Sequence, residues 1–181
     1  MEKKLVIWIT GITASGKTFL GKSLMNGLIE NNYTNVIHLD GDELRKRPGW
    51  VQGHSLQDRF KIIGLLINLI AEEQSMGKIV IVSTVSHIKS MRELAREKLS
   101  GFHEVYLNCS AEKCAARDYK GFYKRAEKNN DVDEIFPGVT EEYQVSKNPE
   151  LTLNTGEENF TKSSETLLNY TLIELKKSQT K

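Results

Sequence analysis

The sequence predicts an α/β fold in which a parallel β-sheet is covered by helices on both faces. Short apolar runs rich in β-branched residues alternate with longer segments whose apolar residues recur at helical spacing. Continuous apolar runs are typical of strands that are buried on both faces of a sheet. Strand and helix in alternation indicate parallel connections that cross the sheet.

The elements can be assigned in order along the chain. The predicted strands are 5–9, 36–39, 78–83, 104–107 and one more beyond residue 148. The predicted helices are 18–28, 56–76, 91–99, one that begins near residue 110, and a last one that carries Leu168, Leu172 and Leu175. The segment of about 118–148 is polar, contains aromatic residues and has weak periodicity, so we interpret it as a mobile lid over a site.

Length and charge limit the organisation and the partners. A chain of 181 residues suits one domain, so residues 1–181 are expected to form a single unit. The net charge is +1, which gives no general attraction to nucleic acid or to a membrane surface. We therefore expect small-molecule partners rather than nucleic acid or a membrane, since a small phosphorylated ligand needs only a local positive site. The two cysteines do not form a metal or redox motif and no secretory leader is evident, which favours the cytoplasm.

A phosphate-binding loop follows the first predicted strand. The pattern G-x-x-x-x-G-K-[ST] is met between residues 11 and 18, with a strand before it and a helix after it. Its backbone N–H groups and the N-terminus of the following helix suit phosphate oxygens. The side chain of Lys17 is expected to reach the β- and γ-phosphates of ATP, and the Thr18 hydroxyl to join a Mg²⁺ shell. The predicted ATP-binding residues are Gly11, Ile12, Thr13, Ala14, Ser15, Gly16, Lys17 and Thr18.

Two carboxylates follow the second predicted strand. Asp40 and Asp42 flank Gly41 and can face a common metal or a substrate hydroxyl. In phosphoryl transfer, one carboxylate orients the nucleophile and accepts its proton. The alternative is an Asx-type turn that caps a helix from Glu43, and Asp42 could serve both purposes. We predict Asp40, Asp42 and Lys17 as catalytic residues, with Thr18 and Asp40 on the metal. The Asn-Lys-x-Asp run that GTPases need for guanine is absent.

Further motifs occur in one order along the chain. They are 39–45 (Leu-Asp-Gly-Asp-Glu-Leu-Arg), 57–59 (Gln-Asp-Arg), 83–86 (Ser-Thr-Val-Ser), 117–124 (Arg-Asp-Tyr-Lys-Gly-Phe-Tyr-Lys) and 136–139 (Phe-Pro-Gly-Val). Together with the phosphate loop they resemble the adenylyl-sulfate kinase (APS kinase) family, over nearly the whole chain. The resemblance implies a P-loop kinase fold with a lid segment, and transfer of phosphate from ATP to the ribose 3′-hydroxyl of adenosine 5′-phosphosulfate. It also implies a Mg²⁺ cofactor and raises the expectation of a homodimer.

The resemblance also implies an acceptor site. Its predicted residues are Asp42, Arg45, His54, Arg59, Ile62, Ser86, Lys120, Gly121, Phe122 and Phe136. Arg45 and Arg59 would hold the 5′-phosphate and its acidic substituent, since guanidinium groups bind oxyanions well. Lys120 and the following segment would close over the nucleotide, and Phe136 would stack on its base. The alternatives are that the three cations are solvated surface residues and that Phe136 anchors the lid in the core.

Four positions depart from the family pattern, all on the acceptor side. His54 stands where the family has phenylalanine, Ile62 replaces an asparagine, His87 a proline and Pro137 a threonine. Because of these changes, the sequence does not fix which base the acceptor carries. The alternative acceptor is a cytidine diphosphoramidate used in capsule modification. Two further functions fit a phosphate loop in this fold: a nucleotide-binding module without transfer activity, and an ordinary nucleoside or nucleoside-monophosphate kinase.

Overall fold

A five-stranded parallel sheet forms the centre of the described part of the chain, which in this computed structural model comprises residues 4–118, 121–128 and 135–177. The strands are β1 (Val6–Thr10), β2 (Val36–Asp40), β3 (Ile79–Ser83), β4 (Phe102–Leu107) and β5 (Leu151–Leu153), in the spatial order β2-β3-β1-β4-β5. The helices are α1 (Lys17–Glu30), α2 (Gly41–Arg45), α3 (Leu56–Ser75), α4 (Lys89–Lys98), α5 (Ala111–Ala116), α6 (Phe122–Lys128) and α7 (Phe160–Lys177). The predicted α/β class is confirmed.

The central strand β1 divides its side chains between two apolar cores. Successive residues of a strand point to opposite faces of the sheet. Val6 and Trp8 pack with α3 and α4, whereas Ile7 and Ile9 pack with α1 and α7. All five residues of β1 are buried, and full burial of one such apolar side chain contributes about 1.5–3 kcal/mol. The sheet is therefore covered by helices on both faces, as the sequence predicts.

Within its described residues, the predicted lid contains a short helix that the weak periodicity of the sequence did not indicate. Helix α6 begins at Phe122, and the Asp118 carboxylate caps it by accepting from the backbone N–H groups of Phe122 and Tyr123 at 2.8 and 2.7 Å. Such a cap satisfies N–H groups that have no partner within the helix. Mobility of this segment stays a prediction, as does the assignment of residues 1–181 to one domain. None of the helices in the described ranges is long and apolar enough to cross a membrane.

The strand order brings the carboxyl ends of β1, β2 and β3 together. Strand β3 lies between the other two, and Ser83 at its end pairs with Ile9 of β1 and Asp40 of β2. The phosphate loop leaves β1 and helix α2 leaves β2, so both segments begin at the same edge of the sheet. Ligands of open α/β sheets bind at this edge, where neighbouring connections diverge.

Two glycines give a test of the backbone geometry. Gly101 precedes β4 with φ +65°, and a Cβ there would lie 2.0 Å from the backbone carbonyl oxygen of Lys4. Because backbone cannot swing aside, we expect Gly101→Ala to lower the free energy of unfolding by at least about 2 kcal/mol. Gly64 lies within α3 with open space around it, so Gly64→Ala is expected to raise that free energy by about 0.5–1 kcal/mol. Urea denaturation checks both, and equal effects of the two substitutions would contradict this geometry.

Candidate active site

A cavity of about 810 Å³ lies at the carboxyl edge of the sheet. The predicted site residues that line it are Thr13, Ala14, Gly16, Lys17, Thr18, Asp40, Asp42, Arg45, His54, Arg59, Ile62, Ser86 and Phe122. Gly11, Ile12, Ser15, Gly121 and Phe136 are not among its lining residues, and Lys120 lies outside the described residues. One cavity therefore holds the predicted donor and acceptor ends together.

The phosphate loop has the backbone conformation that its glycines predict. Gly16 has φ +105°, and a Cβ at this position would lie 2.3 Å from the ring of Phe160. Ala14 also lies in the left-handed region, with φ 64°. The Lys17 ammonium donates a hydrogen bond to the carbonyl of Ile12 at 2.7 Å, so this side chain lies along the loop. The Lys17 cation and the left-handed residues of the loop therefore lie beside one another.

Asp40 joins the phosphate loop to helix α2. Its Oδ2 atom accepts a hydrogen bond from the Thr18 hydroxyl at 2.6 Å. Its Oδ1 atom accepts from the backbone N–H groups of Asp42 and Glu43 at 2.9 and 3.4 Å, and so caps the helix. The capping role that the sequence left open therefore exists, and Asp40 performs it. Asp42 is exposed and lines the cavity.

The two predicted acceptor arginines hold neighbouring segments in place. Arg45 donates to the carbonyl of Gly53 at 2.7 Å, and Arg59 donates to the carbonyls of His54 and Ile135 at 3.2 and 2.5 Å. Burial lowers the pKa of the Arg45 guanidinium, and nearby carboxylates partly offset this. Arg59 thereby connects α3 to the middle of the predicted lid, at Ile135. Both guanidinium groups border the cavity as cations, as the acceptor role requires.

Ser86 adopts a strained backbone conformation after β3. Its φ is 34°, a region that residues with a side chain rarely occupy. Three contacts hold it there: Trp8 Nε1 donates to its hydroxyl at 3.1 Å, the Thr10 hydroxyl lies 3.0 Å from the same oxygen, and Arg92 donates to its carbonyl at 2.5 Å. Strain of this kind concentrates at functional sites. Ser86 therefore has a fixed place in the wall of the cavity.

His87 follows Ser86 and is fully buried in the same wall. Its Nε2 atom lies 3.0 Å from a carboxylate oxygen of Glu141. Burial lowers the pKa of His87, an effect that Glu141 opposes and the charge of Arg59 reinforces. The imidazole is therefore neutral at neutral pH. This departure from the family pattern places a neutral polar ring in the cavity wall.

Phe136 has no exposed surface. Its ring centroid lies 5.1 Å from that of Phe122, and the Arg125 guanidinium carbon lies 5.4 Å from the Phe136 ring centre. This arrangement agrees with the alternative in which Phe136 anchors the lid. Stacking of Phe136 on an acceptor base stays a prediction that would require this packing to open. Phe122 and Arg125 line the cavity in its place.

The sequence reasoning missed an aromatic and cationic surface beside the phosphate loop. The rings of Phe19 and Phe160 lie 5.2 Å apart, and the Arg117 guanidinium carbon lies 5.3 Å from the Phe160 ring centre. Flat faces of this kind suit a nucleobase. Arg117 belongs to the 117–124 motif, but no role for its side chain followed from the sequence. Phe160 had no local signal, because its contact with Gly16 depends on the tertiary fold.

The cavity suits polyanionic ligands. Its lining cations within the described residues are Lys17, Arg45, Lys46, Arg59, Arg117 and Arg125. Its lining carboxylates there are Asp40, Asp42 and Asp118. Cations thus outnumber carboxylates, and a cleft of one dominant sign attracts ligands of the opposite sign. The surplus fits two phosphorylated ligands in one cavity.

Comparison with known proteins agrees with this geometry. The family described as adenylylsulphate kinase matches residues 3–154. An adenylyl-sulfate kinase of Bacillus licheniformis is 35% identical over 174 residues, covering 93% of this chain and 85% of that protein. One from Vibrio parahaemolyticus is 38% identical over 180 residues, covering 97% and 83%.

A solved structure shows that the similarity extends to the three-dimensional fold. The Mycobacterium tuberculosis APS kinase CysC, in complex with AMPPNP and APS, superposes with a TM-score of 0.85 at 26% identity, covering 93% of this chain and 98% of that one. Both the sequence and the fold therefore agree over most of the length. With a phosphate loop that opens into a cationic cavity, the chain belongs to the adenylylsulphate kinase family of phosphotransferases.

Proposed function

We propose that the chain transfers the γ-phosphoryl group of ATP to the ribose 3′-hydroxyl of adenosine 5′-phosphosulfate, forming 3′-phosphoadenosine 5′-phosphosulfate. The observation that carries this proposal is the 2.6 Å hydrogen bond between Thr18 and Asp40, which joins the phosphate loop to a carboxylate inside one cavity. The relatives named adenylyl-sulfate kinase support this acceptor. They give no support to the cytidine diphosphoramidate alternative or to a module without transfer activity.

The donor end holds the triphosphate. Backbone N–H groups of the loop and the N-terminus of α1 bind the phosphate oxygens, and Lys17 spreads the charge of the γ-phosphoryl group. The Phe160 and Arg117 faces beside the loop receive the adenine of ATP. The phosphorus is thereby fixed relative to Asp40, and positioning of this kind supplies much of the rate of phosphoryl transfer.

Asp40 acts at the acceptor oxygen. Its carboxylate accepts the proton of the 3′-hydroxyl as that oxygen forms its bond to the γ-phosphorus. The bond from the γ-phosphorus to the bridging oxygen of ADP breaks, and ADP leaves with that electron pair. Asp42, exposed at the start of α2, supports the acceptor on the same side.

The residues also fit a magnesium ion. Mg²⁺ prefers oxygen ligands and is usually held by one or two carboxylates together with substrate phosphates. The Thr18 hydroxyl and the Asp40 carboxylate supply such oxygens. The described residues contain no group of three or more His, Cys, Asp or Glu side chains that could hold a metal by themselves, so the substrate phosphates would supply further ligands. When bound, the ion neutralises charge on the phosphates.

The acceptor end binds the phosphosulfate. Arg45 and Arg59 border the cavity and offer guanidinium N–H groups to its oxyanions. Ser86, Phe122, His54 and Ile62 form the surrounding wall. In this arrangement His54 and Ile62 give the adenine a smaller aromatic face and one fewer amide contact than the family pattern provides.

We also propose a homodimer in the cytoplasm. The dimer is an expectation from the resemblance to the family, and sedimentation equilibrium of the purified chain tests it. The buried thiols of Cys109 and Cys114 are both free, which suits a reducing compartment.

The acceptor is tested by a panel with Mg-ATP. Adenosine 5′-phosphosulfate is expected to give ADP release that depends on acceptor concentration, because Arg45 and Arg59 match its two acidic groups. Cytidine diphosphoramidate, nucleosides and nucleoside monophosphates are expected to give little turnover. Release of ADP without acceptor dependence, or turnover with the cytidine compound alone, would overturn the proposed acceptor.

Asp40→Ala is expected to lower kcat by about 10²–10⁴-fold, because the proton acceptor is lost. ATP affinity should change little, since the loop and Lys17 remain. Single-turnover kinetics and calorimetry separate the two effects. Glu43→Ala is the matched control, an exposed carboxylate in the short helix that Asp40 caps. Loss of ATP binding in Asp40→Ala with kcat preserved would refute the assigned role.

Lys17→Ala is expected to weaken ATP binding about 10- to 100-fold, since hydrogen bonds to charged groups contribute about 1.5–3 kcal/mol. Titration calorimetry with ATP measures this directly. Lys22→Ala removes an exposed cation from the same helix and should leave the affinity unchanged. An unchanged dissociation constant in Lys17→Ala would show that this side chain does not hold the triphosphate.

A further inference from the structure

The loop that follows β5 contacts the phosphate loop from the side of the protein interior. The Thr155 hydroxyl donates a hydrogen bond to the carbonyl of Ser15 at 2.9 Å. Both residues have no exposed surface. The contact joins positions 140 residues apart in the chain, and Thr155 lies just beyond the 3–154 range that the family matches.

This hydrogen bond fixes the orientation of one peptide group of the phosphate loop. The carbonyl of Ser15 and the N–H of Gly16 belong to the same planar trans peptide, so they point in opposite directions. Since the Thr155 hydroxyl binds the carbonyl, the Gly16 N–H faces away from the Thr155 hydroxyl. Gly16 lines the cavity, where the phosphates bind.

Thr155 also holds the aromatic and cationic surface of the donor end. Its backbone carbonyl accepts from an Arg117 Nη atom at 2.9 Å. The Arg117 guanidinium lies over the ring of Phe160, and that ring fills the space beside Gly16. One buried residue therefore links the phosphate loop to the surface proposed for adenine.

We propose that Thr155 is a positioning residue for the donor nucleotide: its hydroxyl holds the Ser15–Gly16 peptide so that the Gly16 N–H points at the phosphates of ATP. The inference rests on the ATP site of the proposed function and does not depend on the acceptor. A buried carbonyl that loses its partner favours other peptide orientations, because an unpaired buried polar group is costly. The phosphate loop then spends less time in its binding conformation, and apparent affinity falls with the competent fraction.

The test compares Thr155→Val, Thr155→Ser and Thr171→Val. Valine keeps the shape of threonine and removes its donor, whereas serine keeps the donor. Thr171 is a matched control: it is equally buried, and its hydroxyl bonds the Leu167 carbonyl within α7. Dissociation constants for ATP and ADP are measured by calorimetry without acceptor, and KM for each substrate by steady-state kinetics.

Thr155→Val is expected to raise the dissociation constants of ATP and ADP about three- to tenfold. It should raise KM for ATP in parallel and leave KM for the acceptor unchanged. Thr155→Ser should restore wild-type affinity, and Thr171→Val should change thermal stability alone. Unchanged nucleotide affinity in Thr155→Val, or an equal loss in Thr171→Val, would overturn the proposal. A wild-type chain that binds ATP and fails to phosphorylate adenosine phosphosulfate would instead overturn the proposed acceptor only.

Discussion

The hydrogen bond between Thr18 and Asp40 is the contact on which the two ends of the cavity depend. It connects the first turn of α1 directly to the end of β2. The same carboxylate caps α2, the helix from which Asp42 and Arg45 border the cavity. In the proposed mechanism, a single side chain therefore sets the distance between the triphosphate and the oxygen that attacks it, which is the quantity that phosphoryl transfer requires to be fixed.

Buried contacts on either side of this pair restrict the movement of its surroundings. Trp8, Thr10 and Arg92 hold the strained Ser86 after β3. On the opposite side, Thr155 holds the phosphate loop through Ser15. The groups proposed as catalytic thus follow neighbouring strands whose ends are held by buried hydrogen bonds. The predicted lid borders the cavity through α6, and its Ile135 carbonyl accepts from Arg59. This division suits an enzyme that must admit and release nucleotides at an otherwise preorganised site.

The sequence predicts the parts of this site that are contiguous in the chain. The residues of the phosphate loop are adjacent in the chain, and its glycines allow the backbone conformation that binds phosphate. The loop, the strand before it and the helix after it could therefore be predicted from the sequence. The contacts of Thr155 and Phe160 with that loop form between distant residues and leave no local pattern. Helix α6 has only seven residues, too few to show a periodic pattern of apolar residues. An aspartate such as Asp118 shortly before a helix is a typical N-terminal signal, and it could have indicated where α6 begins. The burial of Phe136 likewise follows from packing against Phe122 and Arg125, which sequence spacing cannot reveal.

The coupling between Thr18 and Asp40 tests the central claim most directly. A double-mutant cycle with Thr18→Val, Asp40→Asn and the combined variant, read as kcat/KM for the acceptor, isolates their interaction. If the two side chains act together to position donor and acceptor, kcat/KM of the combined variant is little lower than that of the worse single variant. The coupling free energy is then above about 1 kcal/mol. Losses that multiply, with a coupling free energy near zero, would show that the two residues act independently and would contradict the account.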